Sequence, residues 1–446
     1  MNVTPPPPQK ATPYSASEAR ATYQKVFLRI IPFLILCYLF NFLDRINVAF
    51  AKLQFTRELH FSEAVYGLGS GVFYIGYSLF EVPSNLMLDK IGIRKTLVRI
   101  MVLWGLFSCA TAFMRLPSHY YVIRILLGAA EAGFFPGILF YVTKWVPLSR
   151  RAWITALFFM SVPFSGMVGG PLSGWVMQSL SGSHGLAGWQ WLFLVEGMPA
   201  CVLGVVAFFY LSDSPQQASW LTPREKGIIL SDLEREAEAD RRHTHRSIGA
   251  ALRVPGFYVL AYLSFAVFTG IGGVTFWLPT IIRNSGVKGI LNIGLLSSLP
   301  YAAGALTQVL VARHSDRMLE RRWHFAAPAM AASLGWLVMP WFAHSPVFSL
   351  LLLTLAALGI LGAAPTFWSM PGTFLTGPAR AAGIALISSI WAAASFASPS
   401  IVGWLSARTG SLAAGQYYLG AVILVSVLLV LAGFRDPRMK AARGGA

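Results

Sequence analysis

Charge is scarce in this sequence. Asp, Glu, Lys and Arg together make 12% of its 446 residues, about half the share of a soluble domain. A soluble chain of this length would divide into two or three domains with charged surfaces, and there is too little charge here to cover them. Cysteine is almost missing. Cys37, Cys109 and Cys201 all fall within apolar runs and have no CxxC spacing, which excludes a disulfide framework and a thiolate zinc site. No GxxxxGKS/T loop, HExxH pair or GxSxG elbow occurs. Without a P-loop, no work driven by this chain's own ATP hydrolysis is expected, and no enzyme is indicated. The histidines are scattered and mostly near the ends of apolar runs, so neither a metal nor a cofactor is expected. The Pro-rich start, Pro5–Pro8, lacks a basic-then-apolar leader. The first long apolar run is expected to act as its own targeting signal.

What the chain has instead is apolar length. Hydrophobic residues make 55% of it, in segments that reach the roughly 20 residues needed to cross a bilayer as helix. The pattern predicts twelve spans, near 27–50, 64–88, 96–114, 119–142, 152–178, 190–211, 256–282, 290–312, 324–343, 347–369, 381–406 and 416–434. The net charge of +17 suggests nucleic acid at first. Its distribution argues otherwise, because the basic residues sit in short clusters between the apolar runs. With both termini placed in the cytoplasm, most Lys and Arg fall on the cytoplasmic side, which is the bias that orients bacterial membrane proteins. The dense run from Arg241 to Arg246 follows an acidic stretch and reads as a solvated or lipid-facing loop.

The expected organisation is therefore a disordered cytoplasmic N-terminus (1–25), a six-helix bundle (26–211), a polar, partly helical linker (212–253), a second six-helix bundle (254–434) and a cytoplasmic tail (435–446). The halves echo one another. Asp89-Lys90-Ile91-Gly92-Ile93-Arg94-Lys95 follows the second span, and Asp316-Arg317-Met318-Leu319-Glu320-Arg321-Arg322 follows the eighth. Each has an Asp, an adjacent base and a basic pair five and six residues on. Six spans separate the copies, which points to an internal duplication.

The Asp89 loop resembles the signature of the major facilitator superfamily between its second and third helices, with Asn85 where Gly is usual. More specifically, the chain resembles the anion:cation symporter family, which includes tartrate, phthalate, hexuronate and galactonate permeases. The matching segments are Phe42-Leu43-Asp44-Arg45-Ile46-Asn47, Phe80-Glu81-Val82-Pro83-Ser84-Asn85, Leu127 to Gly137, Gly169 to Gly174 and Glu196-Gly197-Met198-Pro199. The fold this implies is an all-α membrane protein, with twelve transmembrane helices in two six-helix bundles related by pseudo-two-fold symmetry.

Six charges stand inside apolar spans: Asp44, Arg45, Glu81, Arg124, Glu131 and Glu196. A charge in the hydrocarbon is costly and must face a partner or a watery cavity. Arg124 and Glu131 are seven residues apart, on one helix face and about 10 Å along it, at depths compatible with Asp44 and Arg45. The two arginines offer planar forks suited to a carboxylate. Asp44 and Glu131 are acids whose protonation can change with access to either side. Interhelical salt bridges are the structural alternative for all four. The resemblance implies the same division, with arginines at positions 45 and 124 for the anion and acids at 44 and 131 for protons.

Glu81, Asp89, Arg94, Glu196, Asp316 and Arg321 are expected to form gating or structural charge networks. Phe276, Trp277, Trp368, Ser388 and Trp391 are candidates for the far wall of a cavity. Gly166, Gly170 and Gly174 recur every fourth residue, as in a close, sliding helix contact. Sugar-acid carriers of the family have an Asn in the eleventh span, and Leu386 to Trp391 has none. That favours an aromatic or sparsely hydroxylated acid. The expected function is proton symport of a small organic carboxylate in the bacterial inner membrane, by a monomer surrounded by lipid, with protons as coupling ion. An anion exchanger and a non-transporting membrane sensor are the alternatives.

Overall fold

The computed structural model describes residues 14–240, 248–371 and 378–433. The basic run of the linker and the expected tail lie outside the described residues, as do a few side chains, Asp89 among them. The described elements are helical. The first half comprises α1 (Ala16–Glu58), α2 (Glu63–Ile91), α3 (Ile93–Thr111), α4 (Pro117–Glu131), α5 (Phe134–Thr143), α6 (Leu148–Ser179) and α7 (Gly188–Tyr210). The linker holds α8 (Pro223–Asp240) and α9 (Ile248–Leu252). The second half comprises α10 (Pro255–Asn284), α11 (Ile290–Met318), α12 (Arg322–Val338), α13 (Pro346–Ser369), α14 (Pro378–Thr409) and α15 (Ala413–Gly433).

Ten of the expected spans are helices long and apolar enough to cross a membrane among the described residues. The other two, α2 and α3, are helices whose composition does not mark them. Arg94, Lys95 and Arg99 crowd one end of α3, and Gly, Ser and Glu dilute α2. Their place in the bundle comes from packing, α2 along α4 and α3 along α7.

Two boundaries differ from the sequence expectation. Residues 16–25, expected to be disordered, are the first turns of α1. The Glu18 N–H donates to the Ser15 hydroxyl (3.1 Å), and the Ser15 N–H donates back to Glu18 (2.7 Å). This reciprocal cap satisfies donors that the helix start would leave free. At 43 residues, α1 is about 65 Å long, twice the hydrocarbon thickness, so its first turns stand clear of the bilayer. The fourth expected span is broken in two. Gly133 adopts a left-handed conformation (φ +83°), and Pro136 falls in the first turn of α5, where its missing N–H costs no bond. The break leaves Glu131 as the last residue of α4.

Neighbour relations repeat with the offset the duplication requires. In the first half α1 packs on α6, α2 on α4 and α3 on α7. In the second α10 packs on α14, α11 on α13 and α12 on α15. The halves meet along α6 with α11, α2 with α14 and α1 with α10. Glycines make the first two seams close. A Cβ on Gly170 would lie 2.6 Å from the Gly294 carbonyl oxygen, and one on Gly67 would lie 2.3 Å from that of Pro399. Gly166 faces the Tyr301 ring and Gly174 the start of α11, so all three glycines of the repeat lie at a close helix contact. Gly294→Val is expected to add about 1–3 kcal/mol of overpacking to this arrangement. That would shift the population toward a separated seam by about one to two powers of ten. Spin labels at position 60, in the turn that leads into α2, and at position 292, in the first turn of α11, would read the change as a longer distance.

The linker is tied to the first half. Asp232 of α8 accepts from the phenols of Tyr14 and Tyr23, the latter at 2.9 Å. Lys25 pairs with Glu225 (2.9 Å), Glu18 with Arg224 (3.2 Å), and Arg151 at the start of α6 with Glu236 (2.8 Å).

Candidate binding site

The centre of the first half is built on α1. Asn41, Asp44, Arg45 and Asn47 lie within two turns, and all but Arg45 are fully buried. Asp44 accepts from the Asn47 amide (3.1 Å) and from the Ser108 hydroxyl of α3. Arg45 is 14% exposed and pairs with Glu131, which is completely buried. The Arg45 Nε donates to one carboxylate oxygen of Glu131 at 2.7 Å, and the other oxygen has no partner. The helix break at Gly133 places that carboxylate at the open end of α4.

Arg124, two turns earlier on α4, is equally buried. Its guanidinium lies 4.9 Å from the Phe73 ring centroid, and that of Arg45 lies 5.5 Å from the same ring. One ring therefore touches both cations. Among the described residues Arg124 makes no hydrogen bond or ion pair, and its buried Nε is unsatisfied. Asp44 is near enough to feel its charge. Glu196 of α7, expected in a gating network, joins this centre instead. It accepts from Ser173 at 3.0 Å, with Asn47 and Asp44 beside it. Unpaired buried atoms gather here: both amide atoms of Asn41, Asn47 Oδ1, Arg124 Nε, Glu131 Oε2 and Glu196 Oε2. Buried polar atoms are rarely left unpaired without water or a ligand to meet them.

Aromatic rings carry the site across to the second half. Tyr77 lies 5.5 Å under the Arg45 guanidinium. Trp391 of α14 meets Tyr77 and Tyr74 edge-on at 5.4 and 5.8 Å. Phe268 of α10 touches Trp391 at 5.9 Å and Trp368 of α13 at 6.3 Å. Of the residues expected on the far wall, Trp391 and Trp368 are thus brought to the arginines. Ser388 is half-buried on α14, one turn from Trp391. Phe276 and Trp277 are not in this chamber. They lie two turns further along α10, in a plug where the halves close on one another.

That plug includes a charge the apolar runs did not mark. Lys52 stands just past the first expected span, yet is fully buried. Its ammonium pairs with Glu63 (2.6 Å), donates to Thr280 of α10 (3.1 Å), and lies 4.2 Å over the Trp277 ring and 4.6 Å over Tyr66. Tyr66 donates to the Phe276 carbonyl (2.8 Å), and Arg283 donates to that of Leu53 (2.8 Å). The structure is closed at the end where α1 turns into α2.

Among the described residues the opposite end shows no such join. Arg94 donates to the Phe208 carbonyl (2.6 Å) and takes Asp213 on its backbone N–H (3.0 Å). Arg321 pairs with Asp316 (2.7 Å) and with Ser315. The Asp89 side chain of the first expected latch lies outside the described residues, Arg94 reaches only the end of α7 and the start of the linker, and among the described residues no ion pair joins the α2–α3 turn to the α11–α12 turn. Glu81 stands one turn from Tyr77 on α2 and is half-buried. Asn41, Asn47, Phe73, Tyr74, Tyr77 and Phe268 were not singled out from sequence. An Asn at position 41, three residues before Asp44 in an apolar run, was the one readable signal.

Two six-helix halves, closed at one end around a central set of buried charges, define a membrane carrier. The family model described as the Major Facilitator Superfamily matches residues 34–399, and the chain belongs to that superfamily. It is 42% identical over 414 residues to a protein of Agrobacterium vitis provisionally named a tartrate transporter, covering 93% of this chain and 91% of that one. It is 41% identical over 415 residues to a protein of Pseudomonas putida provisionally named metabolite transport protein NicT, covering 93% and 94%. The fold is similar to that of the xylose transporter XylE from E. coli, with a TM-score of 0.70 at 14% identity, over 93% of this chain and 99% of that one. The protein is a multi-pass membrane transporter and not an enzyme.

Proposed function

We propose that the protein takes up a small organic carboxylate with protons, by alternating access between its two halves. One observation carries this reading: Arg124 is a permanent cation, buried, with no hydrogen bond or ion pair among the described residues. Such a charge is costly inside a bilayer, and an entering carboxylate supplies the bidentate partner its fork is shaped for. Glu131 holds Arg45 when no substrate is present. Protonating Glu131 releases Arg45 for the same carboxylate, so proton and anion arrive together. Asp44, braced by Ser108 and Asn47 beside Arg124, is the second proton carrier. Tyr77, Trp391, Phe268 and Trp368 offer flat apolar faces, which favour an aromatic or sparsely hydroxylated body, with Ser388 one turn away for a polar substituent. The name of the Agrobacterium relative fits a carboxylate.

The basic-residue bias supports termini in the cytoplasm of a bacterial cell and a home in its inner membrane. The closed end is then the outer one, and the structure faces inward. The carrier works as a monomer in lipid, with H+ as coupling ion, no other cofactor and no nucleic-acid partner. Proteoliposomes with an inward proton gradient test the reading. For one coupled proton, phthalate or tartrate is expected to accumulate up to about tenfold per pH unit, and a protonophore should abolish the accumulation. Uptake that ignores the gradient and requires internal anion would replace symport by exchange.

A further inference from the structure

The transport reading uses Arg45, Arg124, Asp44 and Glu131 and leaves Lys52 unexplained. Lys52 is two turns from Arg45 along α1, on the same face and about 10 Å away along the axis. Its ammonium is completely buried. One partner, Glu63, belongs to the first half and keeps a third of its side chain in solvent. Two others, the Thr280 hydroxyl and the Trp277 ring, belong to the second half. Those two contacts exist only while α1 and α10 are together. When the halves part at this end, Lys52 loses a hydrogen bond and a cation–π contact and is left at the mouth of the path to Arg45. Its surroundings stay positive. Arg57, Arg283 and Lys288 line a cleft of about 430 Å³ beside it, between the end of α1 and the α10–α11 turn.

We propose that Lys52 is a gate residue with two alternating sets of partners. In the closed arrangement it clasps Thr280 and Trp277. In the open one it receives the substrate carboxylate and passes it to Arg45. The clasp stands on this structure alone, whereas the carboxylate role rests on the function proposed above. The contacts made by the clasp are of the kind that count when desolvated, a charge-assisted hydrogen bond and an indole face. The Glu63 oxygen that meets Lys52 is buried while a third of the side chain stays in solvent, so the folding of Lys52→Met is checked by its melting temperature before the labels are read. Thr280→Val keeps the Lys52–Glu63 pair and the Trp277 contact and removes only the Lys52 hydrogen bond across the halves, as a second, milder variant.

The test uses the full-length protein with its three cysteines replaced and spin labels at positions 60 and 292, together with uptake of phthalate and tartrate in proteoliposomes. Lys52→Met is expected to populate a longer label distance and to raise the substrate concentration for half-maximal uptake about tenfold. Thr280→Val should lengthen the distance and leave half-saturation unchanged, and Lys52→Arg should restore both readouts most of the way. Distances in Lys52→Met and Thr280→Val that match the unsubstituted protein would overturn the clasp. A longer distance with unchanged half-saturation would overturn the role in receiving substrate. If the unsubstituted protein moves neither acid, the function proposed above fails, and the distance comparison still decides the clasp.

Discussion

Arg124→Gln is expected to weaken carboxylate binding by about two to three powers of ten, the cost of removing one partner from a buried charge pair. Calorimetry on the purified protein would measure it with phthalate and tartrate. The loss should not come from unfolding. Asp44 keeps its bonds from Ser108 and Asn47 in the variant, and Phe73 keeps the Arg45 guanidinium beside it. Arg124→Lys should fall between the two proteins, because a point charge cannot match both carboxylate oxygens as the guanidinium fork does. If Arg124 only braced the bundle, the Lys variant would bind like the parent, and both variants would lose thermal stability in proportion to their loss of affinity.

Glu131→Gln should separate binding from coupling. The amide oxygen still accepts from Arg45, so the local geometry survives, but the side chain no longer carries a charge that competes with substrate. Carboxylate affinity is expected to be kept or raised and to lose its pH dependence. Counterflow should persist. Uphill accumulation under a pH gradient should lose the share driven by the Glu131 proton, about tenfold per unit for one proton, and any accumulation left over measures what Asp44 carries. Accumulation at the parental level in this variant would remove Glu131 from the coupling step and leave Asp44 as the only candidate among the two.

The parts of this molecule legible in the sequence are those with strong one-dimensional signals. Length and apolarity located the spans, and the recurring Asp-base-basic-pair loop gave the two halves. The intramembrane charges gave Asp44, Arg45, Arg124 and Glu131. What stayed hidden depends on which helices are neighbours. Spacing shows that Arg124 and Glu131 share a face. It does not show that Arg45 takes Glu131 and leaves Arg124 unpaired. Glu196 could be assigned to the centre only once α7 was known to lie against α1. Trp277 and Trp391 look alike as sequence, each a Trp in an apolar run, and their separation into plug and chamber comes from where α10 meets α1 and α14 meets α2. Lys52 was missed because an apolar window ends where a charge begins, and here a buried ammonium lies beyond that edge. The N-terminal turns were missed for the opposite reason. They are polar, and their order comes from contacts with α8, some two hundred residues away.

Those contacts also settle a mechanical question. With Asp232, Glu225, Arg224 and Glu236 all fastened to α1 or to the start of α6, the ion pairs and hydrogen bonds of α8 beyond the linker, among the described residues, go to the first half. A fluorescent domain spliced in ahead of α8 would travel with one body, and its partner placed after α15 would travel with the other. Each turnover could then be followed as a change in energy transfer between them.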